Sequence, residues 1–355
     1  MKSPSLAART ALRFRRRVLK QATLPEAIAP YAPVGWAGAL HRPGEEPGYQ
    51  WGGQAVVGEK AVEKDTIFRV ASISKMFGAA AALRLVKRGK LSLDDPASEV
   101  LGFDTTRPIT LRQLITHTAA LDDTLLYDEV LGEPDAPTLE ELLKKSYFPY
   151  APGTRGAYSN LGAGVVGMLI EAASGQFFDD FIRQEFFTPY GIDASFHPQR
   201  IVNKDRMANC YEVPPGRLAY CAAEIAALPL DATPNPQRNY YIPAGKLMIS
   251  APDLLAAIEH LLQEDADMFV RQSHIGSVTC DAGRGLGVAI ADELFAPGKV
   301  FWGHQGCAYG ALCEAWIDPS DGTSAVFLTN GVRLGRIGPL REAGQCGIAA
   351  LLREG

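Results

Sequence analysis

Apolar and polar positions along this chain alternate first with the period of strands, then with that of helices, then of strands again. Residues 34–41 and 48–57 read as two strands joined by a turn rich in Gly, Pro and Glu. Val70 to Val86 reads as a helix that is apolar almost all round, with Met76, Phe77, Ala79 to Ala82, Leu83, Leu85 and Val86. A helix without a polar face belongs in the interior. Helical spacing then dominates to about residue 270, in segments 110–117, 138–146, 159–173, 177–187 and 251–263 separated by Pro/Gly loops. Strand-like segments return at 285–291, 299–303, 308–316 and 323–329, and an amphipathic helix over 336–353 closes the chain. Strands at both ends around a helical middle predict an α+β fold with one sheet completed by both termini.

Composition refines this picture. With 355 residues, of which 47% are hydrophobic and 21% charged, the chain is neither disordered nor fibrous. The net charge of −5 gives no expectation of nucleic-acid binding. That total hides an asymmetry, because residues 1–24 hold seven of the 35 basic side chains (Lys2, Arg9, Arg13, Arg15, Arg16, Arg17, Lys20) and no acid. The remainder carries 28 basic against 40 acidic side chains, a net −12. No apolar stretch follows these basic residues, so they do not read as an export signal, and no run of 18 apolar residues forms a membrane span. A terminal helix docked beside the C-terminal one is the expectation, and a cytoplasmic location with it. The six cysteines lack a CxxC pair. A turn at Pro215-Gly216 would set Cys210 opposite Cys221 in a hairpin, although free thiols are the default.

Most familiar catalytic signatures are missing. The chain has no GxSxG, HExxH or GxxxxGK[ST] motif, and its six histidines are scattered, so neither a metal nor a cofactor is expected. What remains is Ser72-Ile-Ser-Lys75 at the start of the apolar helix. Three residues apart on a helix, Ser72 and Lys75 share a face, and burial lowers a lysine's pKa enough for it to take a serine proton. Taken alone the pair is better explained by ordinary helix capping. Two further elements follow in order. Tyr158-Ser-Asn160 opens the helix at 159–173, offering a proton-transfer group and an amide-binding group. His304-Gln305-Gly306 sits in the C-terminal strands, where a glycine permits close backbone approach.

In this order, Ser-x-x-Lys, Tyr-x-Asn and a late His-x-Gly resemble the three motifs of the serine β-lactamase and penicillin-binding-protein superfamily. The resemblance is to the branch of class C β-lactamases, DD-peptidases, D-aminopeptidases and β-lactamase-like esterases. Phe68 to Lys75, Leu114 to Thr118, Pro152 to Asn160 and Ala244 to Asp253 agree with it, and it spans about residues 30–355. It implies a β-lactamase/transpeptidase-like fold: an antiparallel sheet flanked by terminal helices, with an inserted, mostly helical lobe. The sheet lobe would be 1–90 with 270–355 and the helical lobe 91–269, with the active site in the cleft between them.

The resemblance further implies that Ser72 forms an acyl-enzyme while Lys75 and Tyr158 share the acid and base roles. The backbone N–H groups of Ser72 and Cys307 would form the oxyanion hole. Asn160, His304, Gln305 and Gly306 would contact a small-molecule or peptide substrate. In β-lactamases the third motif is Lys-Thr-Gly or Lys-Ser-Gly, whose cation binds the substrate carboxylate. His304-Gln305 departs from that pattern and favours a serine hydrolase of small esters, amides or D-amino-acid peptides. A β-lactamase, a DD-carboxypeptidase and a catalytically silent binding or self-assembling protein are the alternatives. His117, in a segment similar to the family's, is expected to brace a loop under the site. The oligomeric state is left open.

Overall fold

The computed structural model describes residues 22–129, 136–213, 216–272, 283–334, 336–337 and 340–354. The basic stretch expected at 1–24 lies outside them except for its last three residues. Seven strands form the main sheet: β1 (Gly35–His41), β2 (Gly48–Val56), β3 (Lys60–Ala61), β8 (Ala289–Asp292), β9 (Val300–Ala308), β10 (Ala311–Ile317) and β11 (Ser324–Thr329). Their order is β3-β2-β1-β11-β10-β9-β8, and every pairing is antiparallel. Register across the centre runs Trp36↔Thr329 to His41↔Ser324, so the N-terminal hairpin is joined to the C-terminal strands. Both ends of the chain do complete one sheet.

The sheet separates two layers of apolar side chains. Ala325 and Phe327 of β11 face the terminal helices α1 (Leu24–Ile28) and α6 (Glu342–Glu354), where Leu24, Ile28, Ile348 and Leu351 close a core with Trp316. A terminal helix, α1, thus docks beside the C-terminal one; the basic stretch expected there lies outside the described residues apart from its last three. Val326 and Leu328 face the opposite way, into the main core. There lie α2 (Ser74–Lys87), α3 (Leu111–Ile115), α4 (Asn160–Ser174) and α5 (Ala251–Glu264). A strand buried on both faces reads as an unbroken apolar run, which is what Ala325 to Leu328 shows.

Helix α2 meets the expectation of an interior helix, with 11 buried residues from Ser74 to Leu85. Its buried hydroxyl is satisfied locally: Ser74 Oγ donates to the Ala71 carbonyl at 2.6 Å and accepts from Leu247 N–H at 3.0 Å. That second bond ties the start of α2 to the chain ahead of β7 (Met248–Ser250), which pairs with β4 (Ile67–Arg69).

Three expected boundaries move. The strand expected over 285–291 begins at Ala289, because Gly287 takes φ +82° and the backbone at Gly285 turns back on Val288. The strand expected to end at 303 continues to Ala308, so His304-Gln305-Gly306 lies inside β9. The closing helix begins at Glu342 rather than 336; a two-residue ribbon, Arg336–Ile337 with Leu340–Arg341, precedes it. The expected hairpin is present as β5 (Cys210–Glu212) and β6 (Arg217–Tyr220), but a register shift pairs Cys210 with Tyr220. Cys210 and Cys221 are therefore not opposite, and both are free thiols. Among the described residues, no single helix is long and apolar enough to cross a membrane.

Candidate active site

Ser72 lies in the turn between β4 and α2, after Ala71, which holds the left-handed region at φ +47°. That conformation costs an alanine of order 1–3 kcal/mol, and the surrounding packing must enforce it. Lys75 follows one turn later, and its Nζ lies 3.0 Å from Ser72 Oγ. The same Nζ donates to the Ala244 carbonyl. Burial is the main reason the Lys75 ammonium is pulled from 10.5 down to about 7; the Arg284 charge adds to this and Asp123 opposes it. Near neutral pH a large share of Lys75 is therefore a free amine. It keeps one lone pair for the Ser72 proton and one N–H for Ala244.

Tyr158 stands against this pair, its ring centroid 5.0 Å from Lys75 Nζ. Its ring is flanked by His117 at 4.5 Å and His304 at 6.0 Å between centroids. His117 braces the loop as expected, with its carbonyl accepting from Ala157 N–H at 2.8 Å and Nδ1 accepting from Ser159 N–H at 3.3 Å. Burial holds His117 neutral, well below the usual histidine range. Asn160 is the first residue of α4, beside the Ser159 cap.

Strand β9 brings the third motif to Ser72. A Cβ on Gly306 would sit 2.1 Å from the Val70 carbonyl oxygen and 3.1 Å from Ser72 N, so only glycine admits this approach. Beyond it, Tyr309 and Gly310 form a two-residue loop with φ +53° and +81°. Such a loop is closed by a hydrogen-bonded pair, here Ala308 and Ala311, and alternation makes Cys307↔Leu312 the non-bonded pair. Leu312 N–H accordingly donates to Thr329 Oγ1 on the far side, at 3.0 Å. Cys307 N–H therefore points off the edge of β9 that β8 leaves uncovered, since β8 pairs only with Val300 to Gly303. Ser72 N–H, in the first turn before α2, is the second such donor. Both donors belong to the corner where β9 approaches the turn before α2.

Two sequence expectations change here. Period-two alternation turns Gln305 to the face opposite His304 and Gly306. Its amide donates to Glu314 and accepts from Arg341 N–H at 3.2 Å, so the Gln305 side chain is not part of the site. His304 is buried with Nδ1 2.6 Å from the Gln305 carbonyl, which makes Nδ1 the protonated nitrogen. Burial first, then the charges of Arg284 and Lys75, hold its pKa near 3. His304 is a neutral imidazole and does not supply the cation that a carboxylate would need. The exposed Cys307 thiol lies on the same face as Gln305, away from Ser72.

Three partners were not visible in the motifs. Asp123 accepts from Ser159 Oγ at 2.6 Å, Asn160 N–H at 2.5 Å and Leu161 N–H at 3.2 Å, clamping the first turn of α4. Arg284 is buried, its guanidinium carbon 5.9 Å from the Tyr158 ring centroid. The Ala244 carbonyl orients Lys75. Among the described residues, no group of three or more His, Cys, Asp or Glu could hold a metal ion.

Comparisons with known proteins agree with this geometry. A family model described as Beta-lactamase matches residues 22–343. Esterase EstB of Burkholderia gladioli is 30% identical over 339 residues, covering 80% of this chain and 82% of that protein. Penicillin-binding protein 4 of Amycolatopsis lactamdurans is 25% identical over 297 residues, covering 76% of this chain and 74% of that protein. The crystal structure of D-amino acid amidase from Ochrobactrum anthropi SV3 complexed with L-phenylalanine superposes with a TM-score of 0.74. It covers 97% of this chain and 98% of its own at 19% identity, a likeness of fold.

Proposed function

This chain belongs to the β-lactamase family, and on that premise we propose that it is a serine hydrolase of small esters or amides working through an acyl-enzyme. The observation that carries the reading is the Lys75 amine, 3.0 Å from Ser72 Oγ and held near pKa 7. Ser72 Oγ attacks the carbonyl carbon as Lys75 Nζ takes its proton. The carbonyl oxygen, now negative, is held by the N–H groups of Ser72 and Cys307; one such donor is worth roughly 3 kcal/mol of barrier. Tyr158, beside Lys75, passes a proton to the leaving oxygen or nitrogen as the tetrahedral centre collapses. Water then attacks the acyl ester by the same route in reverse, giving the acid and restoring Ser72.

In this reading the reaction lies in the cleft between the lobe of residues 1–90 with 270–355 and the lobe of residues 91–269. Asn160 lines the cleft on the helical side. The name of Esterase EstB supports ester turnover, and the neutral His304 supports esters and amides over β-lactams. The test compares wild type, Ser72→Ala and Lys75→Ala on nitrophenyl esters, D-alanine anilides and a chromogenic cephalosporin. Turnover of an ester or anilide, lost in both variants, is the expected result. Strong turnover of the cephalosporin alone would overturn the substrate class.

A further inference from the structure

A large cavity of about 750 Å³ opens beside the catalytic turn, lined by residues of the 196–199, 219–246 and Tyr309 segments. It adjoins the site through Lys246, whose chain neighbour Gly245 has its Cβ position 3.6 Å from the carbonyl carbon of Ala71, and through Tyr309, two residues past Cys307. Its floor is cationic. Arg69 lies between the rings of Tyr220 and Tyr309, at 4.7 and 4.5 Å, and donates to the Gly245 carbonyl at 3.1 Å. Lys246, half-buried, reaches over the Tyr241 ring at 4.1 Å. Among the described residues, neither Arg69 nor Lys246 pairs with a carboxylate. The acids that line the cavity, Glu224 and Asp231, are exposed at its rim.

A second observation points to a ligand. His197 lines the same cavity, is buried, and its Nε2 has no partner among the described residues. Its pKa is held near 3, chiefly by burial and then by the charge of Lys246. A buried polar atom without a partner is costly, and a half-buried ammonium without a counter-ion is costlier. An anion entering the cavity would pair with the ammonium, and the His197 tautomer protonated at Nε2 would donate to it. Lys246 is lowered to about 8, by burial first and then Arg69, so it still carries its charge in most molecules at neutral pH.

We propose that this pocket binds a carboxylate on an arm of the substrate, which leads from the scissile carbonyl past Tyr309 to Lys246, with Arg69 and His197 completing its surroundings. The proposal rests on the assignment of Ser72 as nucleophile and adds a substrate class to it: esters or amides bearing a second, anionic end.

The experiment uses two nitrophenyl esters of equal chain length, the monoester of adipic acid and the ester of hexanoic acid. The quantity read is the ratio of their kcat/KM values in wild type, Lys246→Met and Lys246→Arg. A charge-assisted contact predicts that Lys246→Met lowers the ratio by at least about tenfold and that Lys246→Arg restores most of it. The same ratio in all three proteins overturns the anion pocket and leaves the nucleophile untouched. Turnover of neither ester by wild type overturns the reading of Ser72 first, and the pocket with it.

Discussion

The Lys75 proton sets a pH limb that can be calculated. An ordinary lysine of pKa 10.5 is neutral in roughly one molecule in 3,000 at pH 7. Lowered to about 7, Lys75 is neutral in about half of the molecules. If the free amine is the base, kcat/KM for a nitrophenyl ester falls about tenfold per unit below pH 6 and levels above pH 8. Inactivation by a fluorophosphonate follows the same limb, because it uses the same first step. The perturbation that tests the cause is Arg284→Gln. The Arg284 charge lowers the Lys75 pKa, so removing it moves the limb to higher pH. Burial remains the larger cause, so the limb stays well below 10.5. Rates are read against buffer blanks, since hydroxide hydrolyses these esters unaided. A rate independent of pH from 5 to 9 refutes Lys75 as the base. A shift of the limb to lower pH in Arg284→Gln refutes the electrostatic account.

Other consequences follow from the same contacts. Gly306→Ala pushes a methyl group into the Val70 carbonyl; thermal melts should show a loss of about 1–3 kcal/mol, with kcat reduced because the Cys307 N–H moves. Asp123→Ala frees the first turn of α4, and kcat for the nitrophenyl ester should fall at least about tenfold while α2 stays folded. Burial raises Glu314 to about 8, above its unfolded value of 4.5, so the folded state binds the extra proton between those values. Wild type therefore loses stability from this group as pH rises from about 4.5 to 8. The difference in Tm between Glu314→Gln and wild type should grow in favour of the variant over that window, and a constant difference would exclude the effect.

The motif spacings carried much of the site. Ser72 and Lys75 are one helical turn apart, and Tyr158 and Asn160 flank one helix cap, so local periodicity shows that each pair meets. That the pairs meet each other rests on the resemblance. The apolar run of α2 likewise announced an interior helix, and the buried strands announced a sheet shared by both ends. What stayed hidden is long-range. Asp123 reaches Asn160 across 37 residues and Lys75 reaches Ala244 across 169, and neither periodicity nor spacing says so. Arg284 and Lys246 are single cations whose burial only the assembled fold reveals. Gln305 is different: period-two alternation was enough to place it on the face away from His304. The cysteine pair failed on a one-residue register shift, which composition does not record.

The central claim is that Ser72 carries the acyl group. Its most direct test is to treat the protein with a fluorophosphonate, measure the intact mass, and map the modified peptide. The account predicts one adduct per chain, on the peptide containing Ser72, and none on Ser72→Ala. Equal labelling of the two proteins, or an adduct on another peptide, would contradict it.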